Sequence, residues 1–190
     1  MEDAIRTLLE ALGEDAGRPG LRKTPERVSR SLRSLTGGYR ESLADLLEGA
    51  VFEDPSRGMV LVRRIPFYSL CEHHLLPFFG MAHVGYLPQG RIIGLSKISR
   101  VVDHFARRLQ VQERLGEQVA DALEEALNPT ALGVVLEATH LCMVMRGVRK
   151  EGSLAVTSTL RGSFLDDPAA RAEFLALAGS SGGGGAEGSQ

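Results

Sequence analysis

The sequence predicts one α+β domain in which helices precede an antiparallel sheet. Apolar residues recur at helical spacing in the first third of the chain, and strand-like apolar runs follow. Two helical stretches then separate these runs from a second pair of strands. Strands grouped in this way favour an antiparallel sheet over a βαβ repeat. A chain of 190 residues with 43% hydrophobic composition is long enough to close one sizeable core.

The N-terminal third predicts three helices. Apolar residues of the first helix are Ile5, Leu8, Leu9 and Leu12. Thr24 as an N-cap, with Pro25 at the first helical position, predicts a second helix that Gly37 and Gly38 end. A short third helix is expected over residues 41–48.

The remainder of the chain predicts four strands, a short turn strand and three helices. Strands are expected from residue 59 to about 66 and over 79–87, with an irregular segment at 68–77 between them and a short hairpin strand at 91–93. Ser96 is expected to cap a helix, and a longer helix runs over 111–127 until Asn128-Pro129 ends it. Strands at 133–145 and 153–160 and a helix at 168–178 follow.

This pattern divides the chain into three regions. Residues 1–57 form a predicted N-terminal helical region, and residues 58–178 a predicted domain of strands and helices. Residues 179–190 are rich in Gly and Ser and are expected to be a disordered tail, because they bury too little apolar surface.

Charge and composition exclude several classes of function. With 22 Lys+Arg against 24 Asp+Glu, the formal charge of -2 gives no general attraction to nucleic acid or to an anionic membrane. No apolar run approaches the roughly 20 residues that span a bilayer. Two cysteines are too few for a disulfide framework, and no basic segment followed by an apolar one opens the sequence. We therefore expect a cytoplasmic protein.

The densest reactive cluster is Cys71-Glu72-His73-His74, and the second cysteine lies in His140-Leu141-Cys142. Cys71 and His74 are three residues apart in a predicted loop, so both can reach one metal ion, and Cys142 can supply a third ligand. In a continuous strand, His140 and Cys142 would point to the same face. Three ligands with an open fourth position are typical of catalytic rather than structural zinc.

Each of these residues also has an ordinary structural interpretation when taken alone. A single cysteine is commonly a small buried hydrophobe, and a single histidine is commonly a packed core or surface residue. That interpretation is kept for His83 and His104. For the two motifs together, the spacing favours a metal site.

Basic residues occur in helically spaced pairs, Arg27 with Arg30 and Lys97 with Arg100. Lys97 stands near a predicted helix start, where free N-H groups and the helix dipole favour a phosphate. For an isolated pair, however, a solvated helix face is the more common explanation. Glu113 alone is an ordinary acid in the first turn of a helix.

Four motifs in register carry a resemblance to a known family. They are Cys71-Glu72-His73-His74-Leu75-Leu76-Pro77-Phe78, Gly94-Leu95-Ser96-Lys97, Val111-Gln112-Glu113-Arg114-Leu115 and the segment from His140 through Cys142 and Arg146 to Val148. The chain resembles the zinc type of GTP cyclohydrolase I from about residue 24 to 174. The resemblance implies that residues 58–178 are a catalytic domain with the tunnelling fold, in which two helices back an antiparallel sheet. It also implies a toroidal homodecamer with active sites between subunits.

The resemblance implies specific roles for residues. Zinc ligands would be Cys71, His74 and Cys142, and catalytic residues His73, His140 and Ser96. Residues expected to bind GTP are Glu113 and Gln112 at the base and Lys97, Arg100, Arg146, Arg27 and Arg30 at the triphosphate. Arg161 departs from the family pattern, in which a smaller or apolar residue is usual.

The implied reaction converts GTP and water into formate and 7,8-dihydroneopterin triphosphate, through C8 hydration, ring opening, deformylation and ribose rearrangement. Two alternatives stay open. One is a non-catalytic protein with a structural zinc. The other is a metal-free tunnelling-fold enzyme acting on a pterin or deazapurine, such as a nitrile reductase.

Overall fold

The computed structural model describes residues 1–179, which form helices around a five-stranded sheet. The helices are α1 (Glu2–Ala11), α2 (Thr24–Leu35), a 3-10 turn (Gly37–Tyr39), α3 (Leu43–Leu47), α4 (Leu95–Ala106), α5 (Gln112–Leu127), α6 (Leu141–Val144), α7 (Ser163–Asp166) and α8 (Pro168–Gly179). The strands are β1 (Val51–Glu53), β2 (Val60–Cys71), β3 (Pro77–Leu87), β4 (Arg91–Ile93), β5 (Leu109–Gln110), β6 (Ala131–His140) and β7 (Ala155–Gly162).

The main sheet has the strand order β5-β2-β3-β6-β7. All its neighbouring strands are antiparallel except β5, which pairs with the end of β2 in parallel through Leu70 and Cys71. Strands β3 and β6 are in register from Phe78 opposite His140 to Leu87 opposite Ala131. The sheet therefore has two distinct ends, and Cys71, Phe78 and His140 share one of them.

One face of the sheet packs against α4 and α5, as the sequence predicts. Phe67, Phe78 and Leu136 from the strands and Ile98 and Leu115 from the helices are all fully buried in this core. Burying each such side chain contributes roughly 1.5–3 kcal/mol. This packing holds the first turns of both helices in fixed positions relative to the strand ends.

The opposite face is covered in part by the C-terminal helices. Phe164 and Phe174 stack with ring centroids 4.8 Å apart, and both are fully buried. Phe174 lies directly over Gly133, where an added Cβ would stand 2.5 Å from a ring carbon. Glycine at position 133 is therefore required for α8 to close on the sheet.

The strand predictions need four corrections. The irregular segment predicted at 68–77 is limited to residues 72–76, because β2 continues to Cys71 by pairing with both β3 and β5. Strand β4 pairs with β1, which the sequence did not reveal, rather than with β3. Strand β6 stops at His140 instead of continuing to 145, since its partner in the register there is Phe78, at the start of β3. Finally, β5 makes the sheet mixed rather than wholly antiparallel.

Neither predicted helix cap is formed. Thr24 is the first residue of α2, and the N-cap is Lys23, because the preceding turn already has helical hydrogen bonds. Helix α4 begins at Leu95 after Gly94, whose N-H donates to the carbonyl of Ala50, so Ser96 lies inside the helix.

The regional division also changes at one point. Strand β1 lies within the region 1–57 that was expected to be helical. Most of the predicted tail lies outside the described residues, and Gly179 is the last residue of α8. No helix within residues 1–179 has the length and apolar character needed to cross a bilayer.

Candidate metal centre and substrate site

A tight loop after β2 carries the first three candidate residues. The N-H of Cys71 donates to the carbonyl of Leu76 at 2.9 Å, and the N-H of Leu75 donates back to the carbonyl of Cys71 at 2.8 Å. Leu75 adopts a left-handed φ of 55°, which reverses the chain. The loop therefore holds His73 and His74, both exposed, next to the end of the sheet.

Cys71, His74 and Cys142 converge on one point. Their ligand atoms all lie within 4.8 Å of one another, and Cys71 Sγ is 3.8 Å from His74 Nδ1. Ligands of a tetrahedral zinc ion, at about 2.0–2.3 Å from the metal, stand roughly 3.3–3.8 Å apart. The cluster is thus close to metal-binding size, although Cys142 lies in α6 and not in the predicted strand.

The electrostatics of the two cysteines also suit a cation. Burial raises the pKa of the Cys142 thiol, and the neighbouring Cys71 sulfur raises it further. Arg146 acts on the same thiol in the opposite direction, which places its exposed guanidinium near the cluster. A bound cation would favour both thiolates, and a Cys-His-Cys donor set suits zinc.

His73 and His140 stand beside this cluster. His73 Nδ1 is 3.9 Å from Cys71 Sγ, nearly the same distance as His74 Nδ1. His140 ends β6, and its ring stacks on Phe78 with centroids 4.6 Å apart and planes 6° from parallel. Burial lowers the pKa of His140, and the charge of Glu113 opposes that shift. Glu113 is therefore close to His140.

Gln112, predicted to bind substrate, directs its side chain into the protein instead. The residue is 2% exposed. Its amide nitrogen donates to the carbonyls of Leu136 and Ala155, both at 3.0 Å, and to Thr157 Oγ1 at 3.2 Å. Its amide oxygen lies 2.8 Å from His140 Nε2. The side chain therefore has no free polar group for a substrate.

Glu72 and Arg114, which the sequence analysis did not assign to the site, join helix α5 to the loop at residues 71–76, here called the metal loop. The two terminal guanidinium nitrogens of Arg114 donate to the carboxylate of Glu72, at 2.6 and 2.9 Å. Glu72 lies between Cys71 and His73, and Arg114 follows Glu113. This forked pair sets the loop against the first turn of α5. Each residue lies inside a recognised motif, but nothing in the sequence connects two residues 42 positions apart.

The predicted phosphate-binding residues of α4 lie at the other end of the sheet. Lys97 is in the first turn of α4, and its ammonium donates to the carbonyl of Leu46 at 2.6 Å. The helix start is fixed near Tyr86, whose hydroxyl accepts from the N-H of Ile93. From Tyr86 to Phe78, β3 extends about 27 Å. Ser96 and Lys97 are therefore remote from Cys71 within one chain, and exposed Arg100 follows them on the same helix.

Arg27 and Arg30 occupy the exposed side of α2. Arg30 pairs with Glu26 in the preceding turn. Within residues 1–179 neither arginine forms an ion pair or a hydrogen bond with the metal cluster.

The fold brings seven of the predicted site residues together at the end of the sheet that carries Cys71. They are Cys71, His73, His74, Glu113, His140, Cys142 and Arg146. Gln112 lies behind them in the protein interior, and the other five, Ser96, Lys97, Arg100, Arg27 and Arg30, are not part of this group.

His83 and His104 occupy buried packing positions away from the cluster. They are 6% and 2% exposed, and burial lowers the pKa of each. His104 Nε2 lies 2.5 Å from a guanidinium nitrogen of Arg108. Both agree with the structural interpretation given from the sequence.

Cys71, His74 and Cys142 form a group that could hold a metal ion at one end of the sheet, so the chain is an α+β protein with a candidate metal centre. Comparison with known families refines this class. The GTP cyclohydrolase I family profile matches residues 1–179, and the chain belongs to that family.

Similar curated proteins support this assignment. GTP cyclohydrolase 1 of Synechococcus sp. (strain JA-2-3B'a(2-13)) is 58% identical over 93% of this chain and 77% of its own. The proteins of that name from Chlorobaculum tepidum and Leptospira biflexa are each 56% identical, over 94% and 93% of this chain and 80% and 97% of theirs. The resemblance drawn from the four motifs is confirmed.

A solved structure, the archaeosine synthase QueF-Like in the apo form, is also similar. It is 18% identical, with a TM-score of 0.48, and the match covers 56% of this chain and 96% of that one.

Proposed function

We propose that this chain catalyses the reaction of its family, in which GTP and water give 7,8-dihydroneopterin triphosphate and formate. The observation that carries the proposal is the convergence of Cys71, His74 and Cys142 at the sheet end that also holds His140 and Glu113. A metal, two further histidines and a carboxylate are the groups needed to hydrate a purine ring and to hold it in place.

Zinc is the metal that we propose for the three ligands, and when bound it would lower the pKa of water enough to supply a nucleophile near neutral pH. The chain's own residues then manage the protons. His73 and His140 can protonate a purine nitrogen or accept a proton from water as the imidazole ring opens.

Glu113 is proposed to select guanine. Its carboxylate is exposed at the first turn of α5, beside His140. Guanine presents N1-H and the 2-amino group, and one carboxylate accepts both hydrogen bonds. Adenine lacks this pair of donors and would leave the carboxylate without partners, so discrimination should be strong.

The triphosphate is proposed to bind to a second copy of the chain. Arg146 lies near the metal cluster, whereas Ser96 and Lys97 lie at the far end of the sheet and Arg100 follows them on α4. Along the axis of α4, Lys97 is about 14 Å from the helix end that leads to β5 and Cys71. A lysine side chain cannot cover that distance. We infer that a complete site combines two parts from different copies of the chain. The metal half consists of the cluster at Cys71, His74 and Cys142 of one copy, and the phosphate half consists of Ser96, Lys97 and Arg100 of a neighbour. This arrangement agrees with a homo-oligomer such as the toroidal decamer of the family.

Arg27 and Arg30 fit the same proposal. Their exposed position on α2 allows them to reach phosphates bound to another copy. Arginine forks suit phosphate oxygens, while Lys97 would act as a point charge.

Zinc content measured together with formate release from GTP tests the proposed activity. A metal-loaded protein that releases formate supports it. Bound zinc without formate release would indicate a structural zinc, and turnover of a pterin or deazapurine by metal-free protein would indicate the other alternative.

Mixed assemblies test the shared site. His74→Ala and Lys97→Ala should each be inactive alone, because each removes one half of every site. Co-assembled in equal amounts, they should recover about a quarter of wild-type formate release, since each half is intact in half of the copies. A matched mixture of His74→Ala with Cys142→Ser, both in the metal half, should recover nothing. Equal recovery in both mixtures would contradict the shared site.

A further inference from the structure

The orientation of the Gln112 side chain is fixed by the atoms that it faces. One end of its amide lies within 3.0 Å of two backbone carbonyls, those of Leu136 and Ala155, and 3.2 Å from Thr157 Oγ1. Carbonyl oxygens accept hydrogen bonds and never donate them. That end of the amide must therefore be the NH2 group, and the reversed orientation would bring three oxygens together inside the protein.

The other end of the amide then determines a proton on His140. The Gln112 oxygen lies 2.8 Å from His140 Nε2, and an amide oxygen only accepts. Nε2 of His140 must therefore carry a hydrogen. His140 Nδ1 has no hydrogen-bond partner within residues 1–179. The stacked ring of Phe78 keeps the imidazole in the plane that this bond requires.

We propose that Gln112 is a positioning residue that holds the proton of neutral His140 on Nε2, so that His140 exchanges protons with the substrate through Nδ1 alone. The hydrogen bond is retained in both charge states of the ring, because Nε2 donates in the neutral Nε2-H tautomer and in the imidazolium ion alike. A proton can thus be accepted at Nδ1 and returned from it without any change at Gln112.

This inference rests on the proposed function for the substrate and on the hydrogen-bond network alone for the tautomer. A histidine acts as an efficient acid or base only when the correct nitrogen faces the reacting group, and an orienting partner on the other nitrogen provides this. Gln112 supplies such a partner from α5, and its own orientation depends on β6 and β7. The network therefore connects three elements to one ring nitrogen.

Nitrogen-15 spectra of the zinc-loaded protein, labelled on histidine and recorded at about pH 8 where the ring is neutral, test the tautomer. The signals of His140 are identified by their loss in His140→Asn. In the wild-type protein we expect Nε2 to be the protonated nitrogen and Nδ1 the unprotonated one. In Gln112→Met, which has similar length but no acceptor, we expect a mixture of tautomers and about tenfold lower kcat with little change in KM for GTP.

Gln110→Met is the matched control. Gln110 is also a buried glutamine, 1% exposed. Its amide donates to the carbonyl of Phe105 and to Gln118, and among the described residues it has no hydrogen bond to His140. It should lose comparable stability and leave the His140 spectrum unchanged.

Three results would overturn the proposal: a wild-type His140 protonated on Nδ1, an unchanged tautomer in Gln112→Met, or equal losses of kcat in the two glutamine variants. Because the tautomer is read without turnover, absence of formate release from wild-type protein with Nε2 protonated would overturn the proposed function and leave the tautomer assignment standing.

Discussion

Adjacent histidines His73 and His74 provide the sharpest test of the metal centre. Their Nδ1 atoms lie 3.9 and 3.8 Å from Cys71 Sγ, so distance to this sulfur does not separate them. Only His74 also lies within 4.8 Å of Cys142. We predict that His74→Ala loses the metal and that His73→Ala retains it.

The expected size of the effect follows from the number of ligands. The binding free energy of a structural zinc ion with four protein ligands is about 10–16 kcal/mol, or roughly 3 kcal/mol for each ligand. Removing one of three ligands should therefore weaken zinc binding about 10²–10³-fold. His73→Ala should instead keep zinc and lose a general acid-base contribution of about 10²–10⁴-fold in turnover.

Zinc content by atomic emission, after dialysis against chelators of graded affinity, measures the first effect, and formate release measures the second. Cys142→Ser and His140→Ala repeat the comparison on the other side of the cluster, where a ligand and a non-ligand are two residues apart. Loss of zinc from His73→Ala with retention in His74→Ala would reverse the ligand assignment. Full turnover in all four variants would refute the enzymatic function.

Three further predictions address the substrate site and the fold. Glu113→Gln places a donor against the donors of guanine, at a cost of about 1–3 kcal/mol, so calorimetry should show weaker GTP binding while thermal unfolding is unchanged; unaltered affinity would remove Glu113 from the site. Arg146→Ala should weaken GTP binding far more than guanosine binding, and added salt should act in the same direction; equal losses for both ligands would count against a phosphate contact. Arg161 lowers the pKa of Glu117 through a hydrogen bond, so this pair stabilises the fold above the ordinary pKa of glutamate and stops doing so as pH falls through the lowered value. Because both side chains are partly exposed, Arg161→Leu should cost less than about 1 kcal/mol at pH 7, and its difference in Tm from wild type should vanish in acid; a difference that grows in acid would contradict this.

The candidate metal-binding group was predictable because its chemistry is local. Cys71 and His74 are three residues apart, and thiolate and imidazole are the groups that zinc prefers. The end of β6 at His140 was not predictable, because it depends on where β3 begins. The apolar run through Val144 continues without any local stop signal, but the register leaves no partner strand beyond Phe78.

The role of Gln112, in contrast, was not predictable from the sequence, because its hydrogen-bond partners lie far away along the chain. Its amide is oriented by Leu136 and Ala155, which are 24 and 43 residues away in the sequence. A glutamine beside a predicted substrate-binding acid suggests a substrate contact, and only the packing of α5 against β6 and β7 shows otherwise. The presence of Arg161 also has a reason that only the structure shows. Its guanidinium donates to the carboxylates of Glu117 and Asp121 in α5, which explains its departure from the family pattern.

The short parallel strand β5 determines where insertions and deletions can be tolerated. Its last residue, Gln110, pairs with Cys71, and its carbonyl accepts from the N-H of Glu72. Glu113 follows only three residues later, so the length of the peptide from 110 to 113 sets the distance between the metal loop and the acid proposed to bind guanine. One inserted residue would advance Glu113 by about 1.5 Å and rotate it by about 100° around α5. Natural length variation should therefore be absent here and concentrate in turns such as that at Gly90, whose left-handed φ of 82° closes an exposed loop.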